Sequence, residues 1–172
     1  MFDPTIFENL KVGIENVVYD LDNQAGIINV TGRTDRLDMA VMSRSFGLTF
    51  ELAGQKGVSA EIWLEAGLHD LAAEILETQD QQPGCELKLR FYKDIADVSR
   101  ECQHISQIIE KIWEPELPTV QTIRYIYGRE PILYHNTIEV GFPRKINEDQ
   151  MEDLPKLVNY MLRTLEELNR MM

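Results

Sequence analysis

The sequence predicts an α+β fold: a mainly antiparallel β-sheet made of an N-terminal meander and a C-terminal hairpin, with helices packed against it and a long C-terminal helix. Three observations carry this expectation. Ala40, Met42, Phe46, Leu48, Phe50 and Leu52 share one parity, while Val41, Ser43, Ser45, Gly47, Thr49 and Glu51 share the other, the period-two signature of a strand with one apolar face. Leu154, Leu157, Val158, Met161, Leu162, Leu165 and Leu168 recur at helical spacing. The strand-like segments are grouped rather than alternating with helices, which argues against a doubly wound parallel sheet.

Taken in order, Asp3-Pro4 supplies an N-cap and a first-position proline for a short helical turn. Residues 10–22 read as extended chain: Val12 and Ile14 alternate, then Val17, Tyr19 and Leu21 continue in the other phase. The phase change near Glu15-Asn16 predicts a bulge. Asp22-Asn23-Gln24-Ala25-Gly26 is turn chemistry, and residues 27–31 read as the returning strand. The charged run from Gly32 leads into the strand of residues 40–52, although Asp35 could instead cap a helix carrying Leu37, Val41 and Met42 on one face. After an Ala53-Gly54-Gln55-Lys56-Gly57 turn, Val58, Ala60, Ile62 and Leu64 alternate with Ser59, Glu61, Trp63 and Glu65.

Leu68, Leu71, Ala72, Ile75 and Leu76 mark a helix that stops before the linker-like Gln81-Gln82-Pro83-Gly84. Leu87, Leu89 and Phe91 predict a strand. Val98, Cys102, Ile105, Ile109 and Ile112 predict a helix ending at Trp113-Glu114-Pro115. Residues 120–127 and 132–142 form a hairpin turning at Gly128-Arg129-Glu130-Pro131. Asn147 and Gln150 are spaced for a capping box, with Ile146 and Met151 as a hydrophobic staple. Pro155 then demands either a kink or a short turn before a helix that starts near Asp153. A chain of 172 residues is most simply one domain, with a sub-layer break near residues 80–85. The element order resembles secretion-chaperone folds in architecture alone; no residue pattern carries the resemblance, and fold does not imply function.

Composition narrows the function more than motifs do. With 44% hydrophobic and 27% charged residues the chain is of ordinary globular type, and its formal net charge of −12 disfavours nucleic acid and anionic lipid as partners. MFDPTIFENLKVG does not read as a secretory signal, and no apolar run approaches the ~18 residues a membrane helix needs. Cys85 and Cys102 lie outside metal or CxxC spacing, so the expected compartment is the reducing cytosol. Nucleotide-binding, hydrolase, zinc-protease and calcium-loop signatures are missing. Glu101 and His104, or Glu65 and His69, could share helix faces but read as exposed charged surface. Neither a metal nor a cofactor is expected.

Two positions break apolar strand faces and so require partners: Arg44 among Met42, Phe46 and Leu48, and Asn136 among Tyr134, Ile138 and Val140. Arg44 is expected to pair with Asp35 or Asp38. The sharper alternative is an anion site built from Arg33, Asp35, Arg36, Asp38, Arg44 and Asn136, because guanidinium forks bind carboxylate and phosphate bidentately. Trp63 sits on the polar parity of its strand, which suggests a helix lid or an interface. The leading expectation is a non-enzymatic cytosolic interaction protein or chaperone-like adaptor. It would form a homodimer or bind another protein through Trp63, Met161, Leu165 and Leu168. A small-molecule binder or enzyme using Arg33, Arg36 and Arg44 is the alternative.

Overall fold

The computed structural model describes residues 5–76 and 83–171. Along the chain it places α1 (Thr5–Asn23), β1 (Ile28–Asp38), β2 (Ser43–Leu52), β3 (Val58–Ala66), α2 (Leu68–Leu76), β4 (Glu86–Ile95), α3 (Val98–Trp113), β5 (Val120–Arg124), β6 (Tyr134–Gly141), a 3-10 helix (Glu148–Asp153) and α4 (Leu154–Arg170). The six strands form one sheet in the order β1-β2-β3-β4-β6-β5, and every neighbouring pair is antiparallel. The fold is α+β.

One face of the sheet is apolar. Leu48, Ile62 and Leu89 pair in register across β2, β3 and β4, as do Phe50, Ala60 and Phe91. On to this face pack Phe7, Leu10, Ile14 and Val18 of α1, Ile105 and Ile109 of α3, and Leu154, Val158, Met161, Leu165 and Leu168 of α4, all of them buried. α4 lies at the centre, in contact with α1, α3, β2 and β3. This corrects the interface expectation for Met161, Leu165 and Leu168. Each has no exposed surface, because the sheet needs their stripe as its own cover.

The first element also differs from the sequence reading. Residues 10–22 are helical, so three strands precede α2 instead of four. Phe7, Leu10, Ile14 and Val18 follow steps of three and four, while Val12 faces outward. An alternating pattern that changes phase is how a 3.6-residue period looks when sampled in twos. The proposed Asp3-Pro4 cap and the Gln81-Gln82 part of the linker lie outside the described residues. Residues 35–45 are neither all strand nor helix: β1 continues to Asp38, and β2 begins at Ser43 rather than Ala40. Between them Met42 takes φ 53°, and the Asp38 carboxylate accepts the Ala40 amide at 3.0 Å. The C-terminal hairpin is shorter than expected, leaving residues 125–133 as a loop.

Around Pro155 the structure takes the second alternative. Asn147 and Gln150 form the capping box of the 3-10 helix, and Pro155 falls in the first turn of α4, where its missing N–H costs no helical hydrogen bond. On the opposite face of the sheet stand Thr49, Glu61, Trp63, Arg90 and Tyr92, and none of α1, α3 or α4 packs there.

Candidate functional site

The predicted arginine cluster is best built from a single irregularity in β1. Val30 pairs with Phe50, but Gly32 pairs with Thr49, so one extra residue is inserted at Thr31. Such a bulge switches every later side chain to the other face. Ile28 and Val30 face the helices; after the bulge Arg33 stands opposite Leu48, Asp35 opposite Phe46 and Leu37 opposite Arg44, again on the helix side. α1 crosses there and presents Glu8, Lys11 and Glu15 at steps of three and four. The sequence did carry a trace of this, since Ile28 and Val30 share one parity and Leu37 the other.

Six charges meet at this corner. Lys11 reaches Asp35 at 2.9 Å, with Glu8 at 3.7 Å and Glu15 at 3.9 Å. Arg33 pairs with Glu15 at 3.1 Å and Asp35 at 3.8 Å. Arg44 pairs with Glu8 and, at 3.3 Å, with Asp35. Aromatic rings lie beneath them: Phe46 is 5.6 Å from the Arg33 guanidinium and 5.9 Å from the Lys11 ammonium, and Phe7 is 4.9 Å from the Arg44 guanidinium. Burial pushes the Asp35 carboxyl up, but its bond to Lys11 and the Arg44 charge outweigh that and hold it below its ordinary value. Arg33 is held above its usual value, first by its bond to Glu15.

Three cations against three carboxylates leave no excess charge for an anion. The corner joins α1 to the sheet where the apolar face runs out. Of the predicted ligand set, only Arg33, Asp35 and Arg44 come together, and the partner expected for Arg44 is indeed Asp35, with Glu8 added. Arg36 lies on the opposite face, opposite Ser45, without an ion pair among the described residues. Asp38 caps the turn, and Asn136 sits on β6, the fifth strand of the sheet counted from β1. There the buried Asn136 amide donates to Gln121 at 2.8 Å, while its oxygen has no partner among the described residues. Across the described residues, no three His, Cys, Asp or Glu side chains are grouped to hold a metal ion.

Trp63 is half-buried on the face free of α1, α3 and α4. Its ring lies over Gly47, where a Cβ would come within 2.6 Å of the indole, and the Arg90 guanidinium stands 5.2 Å from the ring. Its N–H donates to Glu65 at 3.1 Å. Beside it Glu61 accepts from Arg90 and from the Tyr92 hydroxyl, both at 2.9 Å, and from Thr49 at 3.2 Å. Burial followed by the bond to Glu61 pushes the Tyr92 phenol up to about 12. These groups satisfy one another's hydrogen-bonding capacity.

Two features escaped the sequence reading. The 125–133 loop exposes large apolar side chains, although Tyr125, Ile126, Ile132 and Leu133 read as strand residues in the sequence. A cleft of about 590 Å³ opens between the end of α3, the segment after β6 and the first turns of α4. It is assembled from residues scattered between Leu87 and Tyr160, and no local motif announces it. Comparison with protein families, curated proteins and solved structures finds no match to this chain.

Proposed function

We propose that this chain is a non-enzymatic, cytosolic protein-binding module, a chaperone-like adaptor that pairs with a second copy of itself through the Tyr125–Leu133 loop. One observation carries the reading: Tyr125, Ile126, Tyr127, Ile132 and Leu133 are exposed together on one hairpin loop, from 41% for Leu133 to 95% for Tyr127. Large apolar side chains exposed close together in one loop are a mark of an interaction surface, and tyrosine is enriched among interface hot spots. The loop joins β5 to β6, and Tyr125 is braced by Tyr134 in an edge contact at 5.5 Å. The net charge of −12 keeps the rest of the surface from non-specific association. None of the helices is long and apolar enough to cross a membrane, among the described residues. The alternative, an anionic ligand held by Arg33, Arg36 and Arg44, has less support, because Arg33 and Arg44 are engaged by Glu8, Glu15 and Asp35.

Light scattering on size-exclusion fractions tests the proposal. The wild-type chain is expected to run as a dimer at tens of micromolar (a concentration range typical of modest interfaces), and Ile126→Ser with Tyr127→Ser to run as a monomer with unchanged melting. A monomeric wild type, or a dimer indifferent to these substitutions, refutes it.

A further inference from the structure

The cleft beside α4 is a solvent-open groove large enough to take a small molecule. Leu87 and Leu154, both buried, belong to its lining, with Trp113 and Tyr160 meeting edge to face at 5.7 Å. Its volume of about 590 Å³ falls within the usual range for organic ligands. The wall formed by residues 144–146 is fixed by backbone. The Cys85 amide donates to the Ile146 carbonyl at 2.8 Å, and the Ile146 amide returns the bond at 2.9 Å. Gly84 permits this approach, since a Cβ there would lie 3.0 Å from the Ile146 oxygen and the Lys145 Cβ. The Trp113 indole donates to Thr164 at 2.9 Å, which sets the orientation of the aromatic wall.

Charge then selects among apolar ligands. Arg144, Lys145 and Lys156 line the cleft with Glu116 and Asp153. Lys145 is engaged by Asp70, whereas Arg144 and Lys156 make no ion pair among the described residues. The Lys156 ammonium stands 5.7 Å from the Tyr160 ring centre, so a cation borders the aromatic wall. A neutral apolar molecule would leave these cations unused. A dianion would meet Glu116 and Asp153 with only Arg144 and Lys156 free of ion pairs among the described residues.

We propose that this cleft binds an amphipathic monoanion: an organic carboxylate whose aliphatic or aromatic body lies on Leu87, Leu154, Trp113 and Tyr160, with its head between Arg144 and Lys156. This site is independent of the loop proposed for self-association.

Dodecanoate, held below its micelle-forming concentration, is the probe, and methyl NMR of the full chain is the readout. Saturable shifts are expected at Leu87, Ile146, Leu154 and Leu157. Dodecanol should bind about tenfold more weakly, the size expected for losing two solvent-facing charge pairs. Arg144→Gln with Lys156→Gln should weaken dodecanoate by a similar factor and leave dodecanol unchanged; both positions are exposed, so folding is retained. Equal affinity for acid and alcohol, shifts confined to the 125–133 loop, or no binding up to the solubility limit would each overturn the proposal.

Discussion

Replacing Arg44 by alanine tests whether the charged corner is a structural joint. The side chain is 16% exposed, bridges Glu8 and Asp35, and stacks on Phe7. The stacking contributes about 0.5–1 kcal/mol. A partly buried pair shared between two carboxylates adds about 1 kcal/mol, more than an exposed pair and less than a fully buried one. Neither acid is left bare, because Lys11 still lies 2.9 Å from Asp35 and 3.7 Å from Glu8. Arg44→Ala should therefore cost about 2 kcal/mol, equivalent to a fall in Tm of about 4–8 °C for a chain of this size. Arg36→Ala, on the other face, should stay within about 0.5 kcal/mol. Urea denaturation is the assay, read as a shift in midpoint at constant slope. Equal effects at the two arginines would refute the joint. Phosphate that stabilises the wild type but not Arg44→Ala would restore the anion site.

The depressed Asp35 pKa gives a pH dependence of definite sign: its contribution is complete above the ordinary value of 3.8 and is lost as pH falls through the lower folded value, so the stability gap between wild type and Asp35→Asn should close in acid. Gly47→Ala should cost about 1–3 kcal/mol by lifting Trp63 off the sheet, seen as a change in indole fluorescence together with a lower urea midpoint. Leu165→Ala should cost about 2–5 kcal/mol, a core cavity rather than an interface loss, with the oligomeric state unchanged by light scattering. Cys85 is buried, and its thiol is pushed up to about 12, first by that burial, so it should resist alkylation at pH 8 until the chain is unfolded; rapid labelling in the native state would contradict the packing around it.

Where sequence and structure agree, the signal was local. The apolar parity of Phe46, Leu48, Phe50 and Leu52, the alternation from Val58 to Leu64, and the stripes of α3 and α4 each lie within one element, and each forms the predicted unit. The Asn147 capping box is local too, complete within four residues. Of the candidate site, the pairing of Arg44 with Asp35 was legible because a charge on an apolar face needs a nearby opposite charge. The contribution of Glu8 was not, since it depends on α1 being a helix. Residues 10–22 show the limit: a short apolar pattern that changes phase fits a bulged strand and a helix alike, and only packing of Phe7, Leu10, Ile14 and Val18 against the sheet decides between them.

The sequence by itself determined the class of the fold, the strand and helix character of its strongest segments, and the acidic surface. Tertiary structure decided what those segments face. One inserted residue at Thr31 turned Arg33 and Asp35 toward α1, because a strand's side chains change face with every single-residue slip. The stripe on α4 became core rather than interface because the sheet supplied a matching apolar face. The cleft came into being only when Gly84, Trp113, Ile146 and Tyr160 met, through contacts that no local periodicity encodes. The run from Gly32 to Asp38 was therefore readable as charged, and the role of its Arg33 and Asp35 in a neutral joint between α1 and the sheet followed from the register of β1.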